Sequence, residues 1–114
     1  MADCIFCKII EGIIPSTKVY EDDDVLAFED IEPAAPVHVL VVPKKHIESL
    51  EALNQDNVGI VTKVHLAIQK VAGTKKINAK GYRVIVNCGK DGGQTIPHLH
   101  YHVLGGTVFT EKII

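Results

Sequence analysis

Pro97-His98-Leu99-His100-Tyr101-His102-Val103-Leu104 is the stretch whose reading decides the fold. Three histidines alternate with apolar residues, and alternation is the β period. The spacing therefore predicts a strand over 98–104 with all three imidazoles on one face. Neighbours on that face stand roughly 7 Å apart, within reach of one reaction centre or of two adjoining ones. Histidine titrates near neutrality and serves as base, nucleophile or metal ligand. Half of the chain's six histidines fall in these five residues. A merely solvated strand face would more naturally carry Thr, Lys or Glu.

Outward from this strand the rest of the chain falls into short elements. A helix through Ile10, capped by Asp3 and stopped by Gly12, would bury Phe6, Ile9 and Ile10 and carry Cys4 and Cys7 on its first turns. Ile14-Pro15 is a turn. Lys18 to Glu21 and Val25 to Glu29 form a hairpin around an acidic turn, and the loop Asp30 to Pro36 leads to a β-branched strand, Val37 to Val42. The main helix is expected from about Gln55 to Ala72, with Val58, Val61, Val64, His65, Ile68 and Val71 recurring at helical steps. Asn54 is its N-cap and Gly73 its stop. Tyr82 to Val86 is a further strand, and Asn87 to Gln94 is rich in turns. Gly105-Gly106 ends the histidine strand. This order suits an α+β domain over residues 1–114 with an antiparallel sheet.

The 114 residues suffice for one core without disulfides. A net charge of -2 offers no basic patch for nucleic acid. The longest apolar run, Val37 to Val42, is too short to span a bilayer, and no signal peptide is visible. Three cysteines without a secretion signal predict reduced thiols and a cytoplasmic setting. Cys4-x-x-Cys7 then reads as metal ligands or a redox pair.

Two constellations carry chemistry. The turn before the histidines, Asn87-Cys88-Gly89-Lys90-Asp91-Gly92-Gly93-Gln94-Thr95, can turn backbone N–H groups toward an anion, and Asn87, Gln94 and Thr95 add neutral donors. Donors beside imidazoles suggest attack on phosphorus, where oxygen charge develops. Cys4, Cys7 and His46 also offer metal ligands, and a structural Cys2His2 site could be closed by His98 or by His38. Spacing does not choose between them.

The run His98 to Leu104 resembles the defining motif of the histidine-triad (HIT) superfamily. Leu26-Ala27-Phe28-Glu29-Asp30-Ile31, Pro43-Lys44-Lys45-His46-Ile47, Asp91-Gly92-Gly93-Gln94-Thr95 and Gly105-Gly106 resemble its Hint branch, the histidine-triad nucleotide-binding proteins. The resemblance implies a HIT-like fold: an antiparallel sheet of about five strands, one main helix and one short N-terminal helix. It implies a hydrolase that cleaves the P–N bond of purine nucleoside 5′-phosphoramidates, with His100 as the nucleophile that becomes nucleotidylated. By the same resemblance His102 binds phosphate oxygens, Thr95 lies near the leaving amine, and His38 lies beside the nucleophile. Asp30 takes the ribose hydroxyls. Ile14, Phe28 and Ile31 hold the base, and the phosphate-side loop brings Asn87, Gly93 and Gln94. Cys4, Cys7, His46 and His98 would bind a structural Zn(2+), and two chains would pair through the main helix and a shared sheet. Two alternatives stand beside this reading: a dinucleoside polyphosphate hydrolase, against which Gly105-Gly106 counts, and a zinc-stapled nucleotide-binding adaptor with weak catalysis. The tail, Thr107 to Ile114, departs from the aromatic, proline-rich ending common in the branch.

Overall fold

Residues 4–113 are described by the structure, a computed structural model. Strands β1 (Lys18–Glu21), β2 (Val25–Glu29), β3 (Val37–Pro43), β4 (Arg83–Ile85) and β5 (Tyr101–Gly105) form one antiparallel sheet in the order β1-β2-β3-β5-β4. Helix α1 (Ile5–Ile10) precedes the sheet, and α2 (Ile60–Thr74) lies between β3 and β4. This is the α+β arrangement of a HIT-like fold that the sequence predicts.

Strand parity divides the sheet into two chemically different faces. Register pairs Ala27 with Val41 and Val41 with Tyr101, so these residues share a face with Val25, Val39 and Val103. Val64, Ala67, Ile68, Val71 and Ala72 of α2 cover that face and complete the larger core. Burying each such aliphatic side chain contributes roughly 1.5–3 kcal/mol before entropy is counted. The opposite face carries Leu26, Phe28, Leu40 and Val42, covered by Cys4, Phe6, Cys7 and Ile9 of the α1 region. His38 and His102 share this second face by parity, since His102 pairs with Leu40 and His38 with Leu104.

Several boundaries differ from expectation for local reasons. Asp3 lies outside the described residues, and the cap of α1 is Cys4, whose Sγ accepts the Cys7 N–H. Gly12, at φ 82°, ends α1 as expected, with Gly12 N–H bonded to the Ile9 carbonyl and Ile13 N–H to the Lys8 carbonyl. Helix α2 starts at Ile60 rather than Gln55. Asn54 does cap, but it caps a preceding turn, with its Oδ1 accepting from Asp56 and Asn57 N–H, and apart from Val58 N–H on the Asn54 carbonyl the main-chain bonds there span three residues. Gly73 is not the stop of α2. The helix runs through Thr74, and Lys76 takes the left-handed position at φ 59°, with Ile77 N–H bonded to the Ala72 carbonyl. β3 extends one residue further, to Pro43, and β4 is shorter than Tyr82 to Val86.

The histidine strand also begins late, at Tyr101. Pro43 has no N–H to donate to a continuing ladder. Leu99 N–H bonds instead to the Ile47 carbonyl, and the chain bends at His98, whose N–H bonds to the Ile96 carbonyl, so residues 98–100 lie outside the ladder. Gly105, read from sequence as the end of the strand, is its last residue, and a Cβ there would lie 2.8 Å from Ile77 Cδ1.

Two substitutions with opposite effects follow. Gly105→Ala is expected to lower stability by about 1–3 kcal/mol through overpacking, with part regained when Ile77→Val removes the nearest methyl. Lys76→Gly is expected to raise stability by about 1 kcal/mol by relieving the left-handed residue. Urea unfolding midpoints of Gly105→Ala, Gly105→Ala/Ile77→Val, Lys76→Gly and the wild type measure both.

Candidate active site and metal centre

Four sulfur and nitrogen ligand atoms meet where α1 covers the sheet. Cys4, Cys7, His46 and His98 each place one such atom within 4.8 Å of the others. His98 Nδ1 stands 3.2 Å from Cys4 Sγ and 3.6 Å from Cys7 Sγ, and His46 Nδ1 stands 3.3 Å from Cys7 Sγ. A tetrahedral zinc-like dication, with bonds of about 2.3 Å to sulfur and about 2.0–2.1 Å to nitrogen, sets ligand atoms roughly 3.3–3.8 Å apart. The spacing fits. His98 Nε2 donates to the Pro43 carbonyl at 2.9 Å, which leaves Nδ1 bare and aimed at the sulfurs. Of the two histidines left open by spacing alone, it is His98 that joins Cys4, Cys7 and His46, whereas His38 lies with Asp30 and His102.

The environment of this cluster suits neutral groups until a cation arrives. His98 is fully buried, and burial holds its pKa below the ordinary value. Burial, followed by the neighbouring Cys4, pushes the Cys7 thiol up to about 11. A bound dication reverses that preference by stabilising the thiolates.

His100 is also buried, and its Nδ1–H donates to the His98 carbonyl at 2.7 Å. A carbonyl oxygen can only accept, so the neutral ring has its proton on Nδ1 and a bare Nε2. The ring is held edge-on by Phe6, with centroids 5.1 Å apart. His102 follows at 5.1 Å from His100, so the two imidazoles are neighbours across the start of β5.

His102 belongs to a chain of hydrogen bonds whose direction can be read. Ala34 N–H donates to His38 Nδ1 at 2.9 Å. His38 Nε2 therefore carries the proton and donates to His102 Nδ1 at 2.9 Å, with Asp30 Oδ2 at 3.4 Å. That leaves the neutral His102 with its own proton on Nε2. Burial, then the imidazoles of His100 and His38, lower the His102 pKa and keep it neutral at pH 7. Asp30, His38 and His102 bring three ligand atoms together. However, an ion on His38 Nε2 would require that nitrogen's proton to leave while Nδ1 still accepts the Ala34 N–H, which makes the ring an imidazolate. The trio is arranged as a directed chain of hydrogen bonds from Ala34 N–H through His38 to His102.

The remaining residues named from sequence are placed as follows. Phe28 is buried against Phe6, at a centroid distance of 5.6 Å, and Ile14 packs at the edge of the same cluster. Ile31, beside Asp30, is 95% exposed. Asn87 Nδ2 donates to the Gly92 carbonyl, and Gly93 takes φ 82°. Gln94 ties the loop together: Nε2 donates to the carbonyls of Glu48 and Ile96, and Oε1 accepts the Gly89 N–H. Thr95 lines a cavity of about 570 Å³ with Cys88, Glu48 and Pro97. His65, read as packing or interface, is exposed with its ring edge-on to Tyr101. Phe6, the Pro43 carbonyl and the Ala34 N–H were not foreseen. The carbonyl and the amide are main-chain groups without a sequence signature, and Phe6 looks like an ordinary core residue.

The HIT domain model matches residues 11–108. A solved histidine triad protein from Clostridium difficile is 54% identical with a TM-score of 0.95, covering 98% of this chain and 97% of that one. A HIT family hydrolase from Clostridium thermocellum is 51% identical with a TM-score of 0.98, covering 100% and 99%. An uncharacterized HIT-like protein of Buchnera aphidicola subsp. Baizongia pistaciae is 48% identical over 106 residues, 93% of this chain and 95% of that protein.

Elemental analysis of protein purified without chelator is expected to find a tightly bound dication. The double variant Cys4→Ser/Cys7→Ser is expected to lose it, since two of the four ligand atoms change from thiolate to hydroxyl.

Proposed function

The chain belongs to the HIT-domain family, and on that footing we propose a nucleotide-binding hydrolase that cleaves the P–N bond of purine nucleoside 5′-phosphoramidates. The observation that carries the reading is the His100 tautomer. Its bare Nε2 presents a lone pair to an electrophilic phosphorus.

The reaction has two displacements. His100 Nε2 attacks the α-phosphorus, the P–N bond to the amine breaks, and a nucleotidyl-histidine forms. Water then attacks the same phosphorus and the P–Nε2 bond breaks, releasing the nucleoside monophosphate and restoring His100. Nucleotidylation makes the ring cationic, and the His98 carbonyl on Nδ1–H stabilises that charge. His102 Nε2–H donates to the phosphate oxygens. An amine anion is a very poor leaving group, so the nitrogen must gain a proton as the bond breaks. The chain His38–His102 holds a proton at the required side, and the Thr95 hydroxyl is the other donor assigned to the leaving amine.

Asp30 takes the ribose hydroxyls, for which a carboxylate with several lone pairs is suited. Ile14 and Ile31 flank the base over Phe28, and Asn87, Gly93 and Gln94 shape the loop at the phosphate side. We assign zinc to Cys4, Cys7, His46 and His98. Four protein ligands leave no open position, so its chemistry there is structural cross-linking. Two copies would join through α2 and the β4 edge, where Val84 and Ile85 are 40% and 38% exposed. Reduced thiols suit a cytoplasmic setting.

Incubation with adenosine 5′-phosphoramidate is expected to release the monophosphate. His100→Ala is expected to reduce turnover about a thousandfold or more, and His102→Ala roughly 10²–10⁴-fold. Turnover surviving in His100→Ala would overturn the nucleophile assignment. Failure of the wild type on this substrate, alongside cleavage of a dinucleoside polyphosphate, would move the reaction to P–O–P bonds.

A further inference from the structure

Resting on the reading of His100 as nucleophile, we propose that the Cys4–Cys7–His46–His98 cluster positions that nucleophile, so that ligation of His98 maintains the reactive tautomer of His100. His98 is shared between two tasks. Its ring belongs to the metal cluster, while its carbonyl, two residues from His100 along the chain, accepts the Nδ1–H at 2.7 Å.

His98 is held at three points: Nε2 on the Pro43 carbonyl at 2.9 Å, Nδ1 facing the two sulfurs, and its backbone N–H on the Ile96 carbonyl at 2.8 Å. Only the second depends on a ligand outside the chain. A thiol is a weak donor to an imidazole lone pair. Without a cation His98 keeps its Nε2–H on the Pro43 carbonyl, but only weak S–H contacts tie its ring to Cys4, Cys7 and the segment that carries His46. The 98–99 peptide is anchored through Leu99 N–H on the carbonyl of Ile47, the neighbour of His46, so release of His46 from the cluster loosens the direction of the His98 carbonyl.

His100 feels that loss directly. Neutral histidine in water intrinsically prefers the Nε2–H form, which puts the proton on the attacking atom and removes its lone pair. The carbonyl of His98 overrides that preference, and its orientation comes from the 98–99 peptide, which His98 and the His46-Ile47 segment hold from either side. A second contact joins the same parts. Phe6, between the two cysteines in sequence, stands edge-on to both His98 and His100, with centroids 5.9 and 5.1 Å away. A displaced α1 disturbs both rings together. The cluster is thus a positioning unit that acts on the chemical step, not on nucleotide binding.

The test uses the full chain labelled with ¹⁵N-histidine, zinc-loaded, stripped by chelator, and reloaded. Two-bond ¹H–¹⁵N spectra report the tautomer of each ring. His100 is expected in the Nδ1–H form with zinc and in a mixed or Nε2–H form without it. Phosphoramidate kcat is expected to fall roughly 10–100-fold on stripping and to return on reloading, with adenosine monophosphate affinity changed by no more than about twofold. His46→Ala, which removes the ligand remote from His100, is expected to give the same tautomer mixing, and it serves where the stripped wild type does not stay folded. An unchanged His100 tautomer in both the stripped protein and His46→Ala overturns the proposal, as does undiminished kcat in metal-free protein. If the chain turns over no phosphoramidate at all, the spectra still decide this point separately from the reaction.

Discussion

The ladder between β3 and β5 ends because Pro43 has no N–H, and much of the site depends on that ending. A continuing ladder would have committed the N–H and carbonyl of Leu99 to β3. Released from it, Leu99 N–H turns to Ile47 and the Pro43 carbonyl becomes the acceptor for His98 Nε2, while the His98 carbonyl, which by parity would point away from β3, accepts from His100. One missing donor therefore frees the acceptor that fixes the His98 tautomer.

Burying histidines so deeply favours a partner for every ring nitrogen shut off from solvent, since an unpaired buried polar group costs about 1–3 kcal/mol. Among the described residues no buried side-chain nitrogen or oxygen lacks a hydrogen-bond partner. The apolar face under α2 supplies the cohesion, and the α1 face accommodates the polar rings within a smaller apolar cluster. Division by strand parity lets one short sheet serve both purposes.

Much of this was legible in the sequence, and the failures are informative. β1 and β2 match their expected ranges because the acidic turn Asp22-Asp23-Asp24 separates two short apolar-containing runs. The period-two pattern over 98–104 overstated β5, since an extended segment bonded elsewhere satisfies the same alternation. Asn54 and Gly73 were reasonable helix signals, but Asn54 serves a turn before α2 and the left-handed position falls on Lys76. Ligand types were visible in Cys4, Cys7 and His46. Choosing His98 over His38 needed the register of β3 and β5, which lies beyond sequence spacing. Gly105-Gly106, read first as a branch marker, also has a packing reason in the approach of Ile77 and in the positive φ of Gly106.

The Ala34 amide has a consequence for life among competing metals. Soft and borderline cations bind histidine and sulfur avidly, and Cys4, Cys7, His46 and His98 offer such a set in the same domain. Because Ala34 N–H occupies His38 Nδ1, the proton on Nε2 stands guard over the one place where Asp30, His38 and His102 could chelate. A single backbone donor thus sets two histidine clusters apart: His98 offers a bare Nδ1, whereas His38 would first have to give up a proton.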